Sequence, residues 1–105
     1  MRRASKVDQN QALIVAALRG MGADVIDTSG AAQLKPGFPD LLVGYRKRWV
    51  LIEIKRVKGR LTADEKIFHD EHGRHAPILI VFGVRDAVKK LSEFVSAPIS
   101  LPKTI

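Results

Sequence analysis

The stretch GFPDLLVGYRKRWVLIEIKR, residues 37 to 56, decides the fold. Two runs rich in aliphatic residues, 40–44 and 49–56, flank the triplet Arg46-Lys47-Arg48, the pattern of a β-hairpin with a basic tip. Pro39 lacks a ladder donor and marks the start of the first strand. Residues two apart on a strand share a face, so Trp49, Leu51, Glu53 and Lys55 point one way and Val50, Ile52 and Ile54 the other. Both faces begin apolar, as in a strand covered on both sides, and Trp49 is expected in the core rather than as a base-stacking platform. A carboxylate and an ammonium then share one face at the strand's far end. An ionised carboxylate there costs free energy unless it finds a partner or a metal. A structural ion pair and a functional site both meet that demand.

The turn parity bears on the choice. With an even loop, for instance 45–48, Gly44 pairs with Trp49, and counting back sets Asp40 opposite Glu53, about 5.5 Å away by Cα. An odd loop would turn Asp40 to the other face. Two carboxylates that close raise each other's proton affinity unless a cation joins them. The chain has no cysteine, and its three histidines lie elsewhere, so an all-oxygen site for magnesium or manganese is the expectation.

Outward from the hairpin, residues 8–19 read as a helix with Asp8 as cap and Gln11 as its capping-box partner. Gln11, Ile14, Val15 and Leu18 share its inner stripe, and Gly20 and Gly22 end it with a left-handed cap. Residues 23–27 form a short strand and 28–37 a loop. Thr62-Ala63-Asp64-Glu65 matches a capping box and opens a helix to His72. Residues 77–82 read as a buried strand and 84–95 as a last helix, with an irregular tail from Ser96. The order α-β-β-β-α-β-α predicts an α/β fold, a mixed sheet flanked by helices, in one domain over 1–105 with flexible ends at 1–7 and 96–105.

At 105 residues and a net charge of +7, the chain has the balance of a domain that meets polyanions. Without cysteine, disulfides, thiolate metal sites and cysteine nucleophiles are excluded. No apolar run approaches the roughly 20 residues of a membrane span, and no signal peptide is read, so a cytoplasmic protein is expected.

The residues Gly37-Phe38-Pro39-Asp40-Leu41-Leu42-Val43, followed by Glu53-Ile54-Lys55 and Leu61-Thr62, resemble the signature of the VRR-NUC branch of the PD-(D/E)XK nuclease superfamily. The similarity runs from the first helix to the strand after Pro77, a small restriction-endonuclease-like fold. It implies a metal-dependent endonuclease hydrolysing DNA phosphodiesters. Asp40, Glu53 and the carbonyl of Ile54 would hold Mg2+ or Mn2+, and Lys55 would orient the attacking water. It also implies a homodimer acting on branched DNA of Holliday-junction type. Where the family commonly carries an acidic residue on the first helix, this chain offers Gln11, either a metal ligand or only a capping partner. Glu65 is either a site residue, as in relatives, or a capping-box member only.

His69 shares a helical face with Glu65 and is a candidate phosphate contact, while His69, His72 and His75 make a poor zinc set. Arg46, Lys47, Arg48, Arg56, Lys58 and Arg60 are candidate phosphate contacts without a base code, and Arg2, Arg3 and Lys6 a basic arm. The rival reading is a non-catalytic nucleic-acid-binding module on a nuclease-like fold. A basic interaction domain with a buried ion pair is a third.

Overall fold

The computed structural model describes residues 6–75 and 77–97. The expected basic arm of Arg2 and Arg3 and the tail from Pro98 lie outside the described residues, as does the side chain of Lys6. Helix α1 (Lys6–Gly20) already contains Asp8, so Asp8 is not its N-cap and Gln11 is not a capping partner. The stripe is as read: Ile14 and Leu18, four apart, are wholly buried. The helix ends as its glycines require. Gly22 is left-handed (φ 97°), and Ala23 N–H donates to Leu18 O at 3.1 Å, a Schellman-type closure.

Strands β1 (Asp24–Asp27), β2 (Leu41–Tyr45) and β3 (Arg48–Ile54) run antiparallel, and β4 (Ile78–Val81) lies parallel to β3. Their spatial order is their chain order. Helix α2 (Ala63–His72) makes the crossover between the parallel pair, and α3 (Val84–Ser96) follows β4, extending into what was read as tail. The mixed α/β architecture and its element order are those expected. Gly44 pairs with Trp49, but Tyr45 and Arg48 also pair, so the turn is the two residues Arg46 and Lys47 rather than four. Both are left-handed (φ 50° and 66°), the backbone that Asn-Gly adopts most easily in tight hairpins. For residues with a Cβ this costs roughly 1 kcal/mol or more apiece. The segment read as plain loop winds into a 3-10 helix over Ser29–Gln33. Thr28 anchors it, with N–H to Asp40 O at 2.8 Å and Oγ1–H to Pro39 O at 2.7 Å.

One sheet face carries the core. Val25, Leu41, Val43, Val50, Ile52, Ile54 and Val81 meet Ile14 and Leu18 of α1 and Ala87 and Leu91 of α3. The opposite face is covered only near its Glu53 end, by α2, whose Phe68 sets its ring edge against Phe38 at 5.1 Å. Trp49 therefore does not reach a core: it is 54% exposed, because among the described residues no element packs over that part of the sheet. β4 is likewise not fully buried. It is an edge strand with Ile78, Leu79 and Ile80 half-buried. Both outer edges are occupied by cations that blunt further strand pairing: Lys90 Nζ donates to Ile80 O (2.6 Å) and Arg19 to Val25 O (3.0 Å). Among the described residues no helix is long and apolar enough to cross a membrane.

Gly37 locks the segment that leads through Asp40 into β2 against the start of α2. Its φ is 82°, and a Cβ there would stand 2.2 Å from the Asp64 carbonyl oxygen. Gly37→Ala should therefore lower unfolding free energy by about 2–4 kcal/mol, combining backbone strain with overpacking, as read by urea denaturation.

Candidate functional site

The ladder's last pair is Leu41 with Ile52, so the next position sets Asp40 against Glu53, as the even turn requires. Where backbone pairing stops, the Asp40 side chain takes over, its Oδ2 accepting the Ile54 N–H at 2.8 Å. This bond fixes the Asp40 carboxylate against the end of β3. Glu53 is 1% exposed and is the buried charged residue among those described. Burial, then the Asp40 carboxylate within hydrogen-bonding reach, then Glu65, push its pKa up to about 10. At neutral pH its carboxyl therefore keeps its proton, yet Oε1 is buried with no hydrogen-bond partner.

Lys55 does not pair with Glu53. Its Nζ lies 2.5 Å from Glu65 Oε1, and both side chains are 16% exposed. The same oxygen accepts the Thr62 N–H (2.8 Å), while Thr62 Oγ1 accepts the Glu65 N–H (3.2 Å). Glu65 is thus capping-box member and lysine partner at once. Burial opposes its ionisation, but the bonds from Lys55, Thr62 and Glu53 outweigh it and hold its pKa below the usual carboxylate value. β3 ends at Ile54, and Lys55 stays in line because its N–H donates to Val81 O (2.9 Å). One helical turn beyond Glu65, His69 Nε2 is buried without a partner. Burial lowers the His69 pKa, with Lys55 adding to the effect and Glu65 and Asp70 opposing it.

A cleft of about 580 Å³ opens beside Asp40, walled by Gln11, Val15, Arg19, Asp27 and Ser29. Gln11 reaches it as its stripe predicts, but its Nε2 donates to Asp27 Oδ2 at 3.3 Å. Asp27 was not singled out in the sequence. Its Oδ1 accepts the Ser29 hydroxyl (2.6 Å) and N–H (2.9 Å), which hold its pKa low against the effect of burial. Asp-Thr-Ser at a strand exit is a legible Asx-turn signal. Its place beside Asp40 depends on the β1–β2 register, which pairs Asp27 with Leu41.

The basic residues divide. Arg48 donates to the carbonyls of Phe94 and Ala97, each at 2.8 Å, and so braces the end of α3 rather than standing free. Arg46 lies over the Tyr45 ring at 5.3 Å, and Lys47 is exposed beside it. Arg56, Lys58 and Arg60 are exposed on the connection to α2. Among the described residues no three His, Asp or Glu side chains form a metal cluster by themselves. His72 packs on Phe68 instead, its ring 4.5 Å away. The carboxyls that meet at the end of β3 are those of Glu53, Asp40 and Glu65, the last already holding Lys55. The chain matches no protein-family model, no curated protein and no solved structure at a significant level.

The raised Glu53 pKa has a definite sign. Between pH 4.5 and about 10 the folded protein holds a proton that the unfolded chain releases, so this group's contribution is full below pH 4.5 and declines as pH rises. In chelator, the urea midpoint of Glu53→Gln should exceed that of the wild type increasingly from pH 6 to 9. A gap that stays constant over this range would contradict the protonated carboxyl.

Proposed function

We propose that this protein is a divalent-cation-dependent nuclease that hydrolyses DNA phosphodiesters. The observation that carries the reading is Glu53: a buried carboxyl with an orphaned oxygen, beside a second carboxylate, whose neighbouring lysine is already paired elsewhere. A structural ion pair would have matched Glu53 with Lys55. Instead Glu53 lacks a cation, and the site has the two carboxylates that a hard divalent ion takes. The donor set fits magnesium or manganese, with Asp40, Glu53 and the main-chain carbonyl of Ile54 as the holding residues. Such an ion, when bound, acts as a Lewis acid on a phosphate and makes a bound water more acidic.

The remaining roles belong to side chains of this chain. Lys55, steadied by Glu65, sets a positive group where negative charge grows on the phosphate and orients the attacking water. Gln11, tied to Asp27, lines the cleft beside Asp40 and stands in the helical position that acidic residues occupy in VRR-NUC-like sequences. The +7 charge, with Arg46, Lys47, Arg56, Lys58 and Arg60 outward, attracts phosphates without a base code, so DNA is read by backbone and shape. The resemblance adds a homodimer, with two such sites set across a DNA junction. A binding module without chemistry has no use for a carboxyl buried at this cost beside a second one.

The test uses labelled duplex, single-stranded, flap and four-way DNA with magnesium, with manganese and with chelator. Metal-dependent cleavage is expected, lost in Glu53→Gln and Asp40→Asn while DNA binding persists. Lys55→Ala should slow cleavage by about 10²- to 10³-fold, the scale of a lost charge-stabilising group. Equal cleavage by wild type and Glu53→Gln would overturn the assignment. Replacing both Arg56 and Arg60 by Gln should reduce the log–log salt slope of binding by about 0.9 per phosphate contact removed.

A further inference from the structure

The sheet face that α2 leaves open is not uniformly bare. Trp49 lies across Gly44 on the neighbouring strand: a Cβ on Gly44 would sit 2.9 Å from two atoms of the indole's six-membered ring. The ring thus covers a position where β2 has no side chain, yet 54% of the residue remains exposed. Filling the gap over a glycine needs less than an indole. The excess is a flat aromatic surface in water. Beside it a depression of about 290 Å³ is lined by Gly44, Arg46, Lys47 and Trp49, with Asp24 in the same cross-strand row. The turn that brings the two cations there does so with both residues left-handed, although Asn-Gly would form it more easily. The depression thus combines a stacking surface, two positive groups and one carboxylate able to accept from an exocyclic amine.

We infer that Trp49 and the Arg46-Lys47 turn form a stacking subsite for an unpaired nucleobase, with Arg46 and Lys47 on its flanking phosphates. Aromatic rings hold single strands through base stacking, which every base offers, while cations follow the backbone. Charge complementarity selects this occupant over an apolar one. Trp49 shares its side of β3 with Glu53, four residues along and so about 13 Å away. Between them lie the half-buried Leu42, Leu51 and Ile78, an apolar row on which an extended strand can rest. A blunt duplex keeps its bases stacked on one another and has none to give. The subsite therefore favours DNA with single-stranded arms, which deepens the nucleic-acid reading above but does not require cleavage.

Trp49 is the single tryptophan of the chain, so its emission reports its own surroundings. In chelator, titration with short oligothymidylate should quench that emission saturably, while a blunt duplex of equal length quenches it little. By fluorescence anisotropy of the labelled oligonucleotide, Trp49→Ala should weaken binding about 5- to 100-fold, matching one stacked base. Trp49→Phe should recover most of that loss, and both variants are compared at matched thermal stability. Binding without quenching, or equal affinity for wild type and Trp49→Ala, would overturn the inference. So would emission that shifts with protein concentration alone, since a second copy of the chain would then cover the indole. Quenching without metal-dependent cleavage would leave the subsite standing and remove only the nuclease reading. Cleavage without quenching would do the reverse.

Discussion

The desolvated carboxyl of Glu53 is the constraint around which the rest is arranged. Burial disfavours its charged form, Asp40 beside it disfavours that form further, and the ammonium of Lys55, two residues along, is committed to Glu65. A neutral, half-satisfied acid in this position is a standing cost, since an orphaned buried acceptor forfeits the hydrogen bond it would have made in water. An apolar residue would pack there without it. What holds the acid in place is the strand itself: β3 runs between β2 and β4, so the backbone at Glu53 cannot turn the side chain outward.

Helix α2 does two jobs through one residue. Its capping box orders the first turn, and the same Glu65 oxygen that accepts the Thr62 N–H also takes Lys55. Helix initiation and lysine placement are therefore coupled, and Gly37 extends the coupling to the segment bearing Asp40 by lying against the Asp64 carbonyl. Three stretches of the chain, at Gly37–Asp40, at Lys55 and at Thr62–Glu65, thus converge within one turn of α2. The edges are treated differently. There Arg19 and Lys90 are used as stoppers on strand carbonyls, which accounts for two of the positive charges without invoking a ligand.

The sheet is two-sided in its chemistry. One face is a conventional aliphatic core against α1 and α3, and the other is closed at the Glu53 end and open at the hairpin. That asymmetry separates the basic residues into structural and outward ones. Arg48 points to the end of α3, whereas Arg46 and Lys47 stand at the turn and Arg56, Lys58 and Arg60 beyond β3. A net charge alone could not have made this division, because a guanidinium on a carbonyl and one in solvent count equally in composition.

The amino-acid order alone determined the element succession and the Thr62–Glu65 capping box, and it made the pairing of Asp40 with Glu53 conditional on an even turn, which the observed β2–β3 register supplied. These follow from strand alternation, helix capping and turn parity, which act over a few residues and leave a local record. Tertiary structure decided the rest. Trp49 reads as core because alternation shows which side a residue faces but not whether anything packs over that side. Lys55 chose Glu65 over Glu53, Gln11 met Asp27 instead of capping its helix, and β4 became an edge. Each of these depends on which distant backbone arrives within about 3 Å, the reach of a hydrogen bond, and no local pattern encodes that distance.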